Sequence, residues 1–399
     1  MIDSSERFVD TPPSRRLKPT GKNVNSRMQL LRAIAITAVC MGHVDPAGFS
    51  GPFRLFPPYS YQVAAFVFTA GYLYKAEHDT HPIRYIARKI IRLIIPLLLI
   101  NCCYGFTAYG LHAWEIINYE PALNLDSLII EPLLYSDTFV INGAMWFIAP
   151  LFIAESVNVL VRSPLSKLKN GAMPEIMLAM LYFSIGLLAA DRGGAKGLEA
   201  GPELTICRVA LFLSWFGMGR LYRCRLEHLD SLPNGKLFLG TMLGQLIIIY
   251  LANGVPVYNS AWCRFYNGAA LSYASTILAL AFMLRICRII EPLVRQLPLM
   301  RSLANNSFSI MCHHQFGYLL VTLAYAGLFS LIGAPGDFDI GAMRSLAVGY
   351  FYLPGGNIQF IAPYVVAGIW FSLSVHRGWL LIRSSLSNWY NERKSMQTG

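Results

Sequence analysis

Charge is what this sequence has least of. Only 14% of its 399 residues are Asp, Glu, Lys or Arg, against about 25% in an ordinary soluble domain, too few to cover a water-facing surface of this size. That scarcity excludes a soluble multidomain enzyme and a disordered chain. Paired cysteines are missing as well. None of the eight cysteines stands in a Cys-x-x-Cys or other metal-type spacing, which argues against a disulfide scaffold and offers no metal site; they lie in or beside apolar runs and read as small core residues. There is no internal repeat or low-complexity segment, and no small-residue cleavage site follows the polar start of the chain.

What the chain has instead is apolar length. Hydrophobic residues make up 55% of it, with a mean hydropathy of +0.44. Ten apolar runs, 28–45, 58–75, 90–109, 144–161, 174–190, 204–220, 237–252, 266–284, 303–331 and 358–382, come near the length needed to cross about 30 Å of hydrocarbon at 1.5 Å per residue. The expectation is an all-α integral membrane bundle of about ten transmembrane helices. A polar basic tail (1–27) precedes the membrane domain (28–385), and a second tail (386–399) follows it. Segments 46–58 and 333–356 read as outer loops, the latter dipping partly into the membrane, and 127–136 as re-entrant or interfacial.

Charge placement gives the expected sidedness. With the N-terminus in the cytoplasm, 27 of the 33 Lys and Arg fall inside and six outside, a positive-inside bias carried by every loop. Eleven acids fall outside, so the two faces carry +16 and −5. Both termini are therefore expected in the cytoplasm, and the net charge of +11 is a topology device that needs no nucleic-acid partner.

Ionisable groups within a bilayer are costly and are functional candidates by default. Arg32 and His43 stand 11 residues apart in the first run, three helical turns plus about 20°, so they share a face roughly 16 Å apart along the axis. The spacing suits an anionic donor gripped at the inner face by Arg32, with a base, His43, deeper in. A snorkelling Arg32 and a hydrogen-bonding His43 are the plainer reading, at equal weight. In the ninth run, His313 and His314 point about 100° apart, so one faces the His43 cavity while the other packs. A packed histidine is the first reading for His313, acceptor contact the other. In the fourth run, Asn142 and Trp146 enter from outside, and Trp146 is also an ordinary aromatic-belt anchor. Glu155 lies deeper and needs a partner, either a histidine or an arginine such as Arg92. Arg88, Lys89 and Arg92 form a basic helical segment, read as a phosphate site or as plain positive-inside bias. Outside, 110–143 carries five acids and Trp114, Tyr119 and Tyr135, a sugar surface or a solvated loop.

At these residues the chain resembles the acyltransferase-3 family of membrane O-acyltransferases, with the fucose 4-O-acetylase-like branch nearest. The resemblance runs through Arg32-x10-His43, FVFTAGYL (66–73), RKIIRLIIP (88–96), MWFIAPLFIAE (145–155) and NSFSIMCHHQF (306–316). Two motifs depart from the family pattern: its Arg-x-x-Arg is Lys89-x-x-Arg92 here, and its Ser-Gly pair is Ala70-Gly71. No appended periplasmic hydrolase domain, which some members carry, is expected. The resemblance implies transfer of an acyl group, usually acetyl, from cytoplasmic acyl-CoA to a hydroxyl of an envelope glycan or its lipid-linked precursor. Acetyl-CoA would be a co-substrate with no resident cofactor, and polysaccharide-assembly proteins are candidate partners in the cytoplasmic membrane of a bacterial cell. His43 would be the base. His314, with Ser309 or Trp146, would orient the acceptor or donate to the oxyanion, Glu155 would assist, and Arg32, Arg88, Lys89 and Arg92 would hold the donor. A flippase of lipid-linked sugars is the main rival, and bis-histidine haem ligation or a non-catalytic assembly subunit are the others.

Overall fold

The computed structural model describes residues 25–45, 54–167, 173–294, 297–332, 338–356 and 358–398. Most of the expected basic tail (1–27) and parts of the loops at 46–58 and 333–356 lie outside the described residues.

The described chain is helical except for one short hairpin. Helix α1 (Ser26–Val44) is capped by the Asn25 side chain, which accepts the Met28 N–H at 3.1 Å and so satisfies one orphan donor of the first turn. Helix α2 (Gln62–Leu73) is only 12 residues long. Helix α3 (Pro82–Lys89) runs through a π turn (Ile90–Ile94) into α4 (Ile95–Ala113). The wide turn re-aims the basic side chains on either side of it, a common device at functional sites. The segment Asp126–Tyr135 packs on α4, α7 and α5, tied to α4 by the Asn101 amide, which donates to the carbonyls of Ser127 and Leu128. A 3-10 run (Val140–Phe147), kinked at Asn142, then leads into α5 (Ile148–Leu165). There follow α6 (Met173–Lys196), α7 (Pro202–Leu221), α8 (Asn234–Ala252), the hairpin β1 (Tyr258–Asn259) and β2 (Arg264–Phe265), α9 (Ala269–Val294), α10 (Pro298–Asn305), α11 (Ser307–Ile332), α12 (Ile340–Leu346) and α13 (Ile361–Thr398).

Seven helical stretches among the described residues are long and apolar enough to span a membrane, fewer than the ten expected. They are Pro82–Ala113, Asp126–Leu165, Glu175–Lys196, Pro202–Leu226, Asn234–Ala252, Ser307–Ile332 and Ile361–Ser385. Of the expected runs without a counterpart among the seven, that at α2 forms a helix of only 12 residues, and α1 carries Arg27, Arg32 and His43 within 19 residues. By contrast α8 presents Leu239, Leu243, Leu246, Ile247 and Leu251, each at least half exposed. Such a surface suits lipid and would aggregate in water. The protein is an integral membrane protein.

Helix α7 is the most enclosed of the seven and packs against α6, α2 and α5. Glu175 of α6 accepts from Arg162 of α5 at 2.7 Å and from Arg220 of α7 at 3.2 Å, and Arg220 also donates to the Tyr74 carbonyl at the end of α2. This buried cluster ties four helices at one end of the bundle. Cys40, Cys207, Cys263, Cys287 and Cys312 are buried as expected of core residues, whereas Cys103 and Cys224 are exposed; all eight are free thiols.

Candidate active site

Two cavities adjoin in the bundle, with Phe66, Phe147 and Met311 lining both. The first, of about 500 Å³, is basic. Arg32 enters it from α1, Tyr85, Arg88, Lys89 and Arg92 from α3 and its π turn, Glu155 from α5 and Ser307 from α11. Arg32 Nη2 donates to Ser307 Oγ at 2.7 Å. Lys89 Nζ pairs with Glu155 at 2.5 Å and sits 5.3 Å from the Tyr85 ring centroid. The four cations expected to hold a donor therefore share one wall system, facing a single carboxylate. His78 also lines this cavity. Burial, and after it the charge of Arg88, lowers its pKa from the ordinary value, so it is neutral at pH 7 and leaves anion binding to the guanidinium and ammonium groups.

The second cavity, of about 280 Å³, holds His43. Around it stand Tyr59, Gln62, Trp146, Tyr258, Asn259, Ser260, Trp262 and Gln315. No Asp, Glu, Lys or Arg lines it among the described residues. Its polar atoms are amides and hydroxyls, and burial pushes the Tyr258 phenol up to about 12, so that group too stays neutral. Gln62 Oε1 is buried with no hydrogen-bond partner, an acceptor left for something in the cavity. Gln315 Oε1 takes the Ala144 N–H at 2.8 Å, which leaves its NH₂ as the group available.

The histidine pair has a defined tautomer. His314 Nδ1 lies 2.7 Å from the Ile310 carbonyl and 3.1 Å from that of Met311. Carbonyl oxygens only accept, so this Nδ1 carries the proton and His314 Nε2 is a lone pair. His43 Nδ1 lies 2.9 Å from the Val39 carbonyl and 3.2 Å from His314 Nε2, two acceptors, so it too is protonated. His43 Nε2 is thereby left unprotonated, the form a general base requires. The ring of Tyr318 packs edge-on against His314 at 5.3 Å, and its hydroxyl donates to the Cys40 carbonyl at 2.7 Å, locking α11 to α1 at this level.

His314→Ala removes one acceptor of the His43 Nδ1–H. A hydrogen bond of this kind contributes about 1–3 kcal/mol, so kcat should fall about 10- to 100-fold with the KM of the substrate held in the basic cavity unchanged. His314→Gln, which can present an oxygen at the same place, should recover most of the loss. Equal loss in both variants, or a rise in KM alone, would show that His314 does not act through His43.

Several expected site residues lie elsewhere. His313 turns to α4, with Tyr104 Oη 2.8 Å from its Nδ1; the 100° step between neighbours sends it away from His43. Ser309 donates to the Ser372 carbonyl on α13 at 2.9 Å. Asn142 donates to Asn101 Oδ1 at 3.2 Å and fixes the kink before α5. None of the three lines either cavity; each makes a contact between helices. Glu155 lies in the basic cavity and pairs with Lys89, not with a histidine or Arg92, because the π turn brings Lys89 over α5. It lines the basic cavity and not that of His43. Trp114, Tyr119 and Tyr135 of the acidic segment also stay outside the His43 cavity.

Much of the second cavity was not read from the sequence. The hairpin that supplies Tyr258, Asn259, Ser260 and Trp262 is too short to leave a periodic signal. It is held by Arg208 of α7, which donates to the Ala261 carbonyl at 2.6 Å and the Tyr135 carbonyl at 2.9 Å. The same guanidinium lies 5.2 Å from the Trp146 ring and 5.9 Å from that of Trp262, a cation–π contact from behind the cavity wall. Gln315 adjoined the histidine pair in the motif at 306–316 and was the one missed residue with a usable signal.

Among known families, the model of an acyltransferase domain matches residues 25–377 of the chain. No curated protein and no solved structure matches it.

Proposed function

Because the chain belongs to the acyltransferase-3 family and is a membrane acyltransferase, we propose that it moves an acetyl group from acetyl-CoA to a hydroxyl of a neutral sugar on an envelope glycan or its lipid-linked precursor. The observation that carries this reading is the division of α1 between two adjoining cavities. Arg32 serves a basic one and His43 an uncharged aromatic one. CoA is polyanionic and suits the first, where Arg32, Arg88, Lys89 and Arg92 offer fork-shaped and point-charge phosphate donors. A sugar suits the second, with aromatic faces for its C–H surface and amides and hydroxyls for its hydroxyls. The motif resemblance to the fucose 4-O-acetylase-like branch adds to the choice of a sugar. The charge asymmetry of the loops supports a basic cavity on the cytoplasmic side, with both termini, and a His43 cavity towards the outer side of the cytoplasmic membrane.

The chemistry needs little beyond this. His43 Nε2 takes the proton of the sugar hydroxyl as that oxygen attacks the thioester carbonyl carbon. The amide NH₂ of Gln315 is the neutral donor available to the developing oxyanion. Collapse breaks the C–S bond, and the imidazolium returns the proton to the departing thiolate, giving ester and free CoA. During the step the Nδ1–H of His43 stays engaged with Val39 and His314, which stabilises the cationic ring.

The test is chemical. Envelope glycans from a deletion strain, with and without the wild-type gene restored, are compared by mass spectrometry and NMR for ester-linked acyl groups. An ester that vanishes on deletion and returns with the gene supports the proposal; an identical ester pattern in both would overturn it in favour of transport of a lipid-linked sugar.

A further inference from the structure

The two cavities share three lining residues: Phe66 of α2, Phe147 at the entrance to α5 and Met311 of α11. We infer that these three side chains form the aperture that selects the acyl group by size and by lack of charge. The inference rests on the two-substrate reading above, and it names which acyl groups that site accepts.

The argument is one of position. A donor held by Arg32 and the basic segment has its anionic part in one cavity, and the base lies in the other. For the thioester carbonyl to come within reach of His43 Nε2, the acyl end must enter the space bounded by these three residues. The rings of Phe66 and Phe147 meet edge to face at 6.1 Å, and Phe147 is backed by Phe212 at 4.9 Å, so this side has little freedom to retreat. Met311 faces them from α11 as the most adaptable of the three, since its unbranched thioether can change rotamer. Its backbone carbonyl helps orient His314, but its side chain contributes no hydrogen bond there, so truncating it leaves the histidine pair in place.

The passage presents only ring carbons and a thioether. A carboxylate-bearing acyl group would be desolvated there without a partner, which is strongly unfavourable. A longer neutral acyl chain would meet a wall instead of a charge penalty, and removing that wall should admit it. Size and charge are thus separable by substitution.

Inverted membrane vesicles of a deletion strain expressing the full-length protein carry the endogenous acceptors and expose the cytoplasmic face. They are given equimolar, differently isotope-labelled acetyl-CoA and butyryl-CoA, or acetyl-CoA and succinyl-CoA, and the esters on the glycan are counted by mass spectrometry. Wild type should incorporate mainly acetyl. Met311→Ala and, separately, Phe66→Leu should raise the butyryl-to-acetyl ratio by about 10-fold or more, the scale on which a few methylenes are discriminated in an apolar site. Neither should admit succinyl. A butyryl-to-acetyl ratio unchanged in both variants while acetyl transfer continues would overturn the aperture, as would equal use of both donors by wild type or entry of succinyl in the variants. Absence of every labelled ester in wild-type vesicles, with the protein present in the membrane, would instead sink the acyl-CoA reading itself and the aperture with it.

Discussion

His43→Ala should eliminate the glycan ester while leaving the protein in the membrane at wild-type level. The ring lies on the wall of the second cavity, and its loss leaves the buried His314 Nε2 without its donor, a cost of about 1–3 kcal/mol that a membrane bundle of this size can bear. Its chemical loss is large. A positioned base contributes about 10²- to 10⁴-fold, and Gln62 and Gln315 beside it have amides that cannot take a proton at neutral pH. The donor side should be untouched, because Arg32, Lys89 and Arg92 belong to the other cavity. Binding of a non-transferable CoA analogue to purified protein should therefore match wild type, with kcat reduced by about three orders of magnitude. His43→Gln should fare no better, since it restores volume and polarity without basicity. Persistence of the ester at near wild-type level in either variant would remove His43 from the chemistry and return it to the status of an interhelical hydrogen-bonding residue.

Gly71→Ala should strongly destabilise the protein, a large effect for one methyl group. A Cβ at Gly71 would lie 2.0 Å from the Phe216 carbonyl oxygen, and one at Gly219 would lie 2.0 Å from the Phe68 carbonyl oxygen. These two glycines are reciprocal, each opening α2 or α7 to the backbone of the other helix. Neither clash can be relieved by turning a side chain, so the helices would have to separate by about an ångström or more. Overpacking of flexible cores already costs about 1–3 kcal/mol, and backbone against Cβ should exceed that. Helix α2 also carries Phe66 and Thr69 of the basic cavity and Gln62 of the second, so displacement would open both. The expected outcome for Gly71→Ala and Gly219→Ala alike is a several-fold lower membrane level and a reduced thermal midpoint in detergent. Gly240→Ala, where nothing lies within 4 Å, should behave as wild type. Normal stability of Gly71→Ala would mean that the α2–α7 crossing is looser than described.

The histidine pair shows how far local reasoning reaches. Helical periodicity separates His313 from His314 by 100° and so dictates that they cannot both face one cavity. Which of the two faces His43 depends on how α11 is rotated against α1, and that is decided by contacts such as Tyr318 on the Cys40 carbonyl, 278 positions apart. Glu155 makes the same point from the other direction. A carboxylate within an apolar run requires a partner, but the choice of Lys89 over Arg92 follows from the π turn at Ile90–Ile94, a local departure from 3.6 residues per turn that the side-chain pattern does not reveal.

By itself the sequence determined that this is a membrane-embedded helical protein, because 14% charge cannot solvate 399 residues and apolar runs of spanning length leave few other solutions. It also determined that Arg32 and His43 lie on one face of one helix, since eleven residues complete nearly whole turns. The tertiary structure alone decided that this face is divided between two cavities, that Phe66, Phe147 and Met311 from three different helices stand at their junction, and that a hairpin near residue 260, held by Arg208, closes the space around His43. The reason is physical. The backbone repeat governs where a side chain points within its own helix, whereas the meeting of helices depends on the summed packing of surfaces distant in sequence, set here by the bare backbones at Gly71 and Gly219.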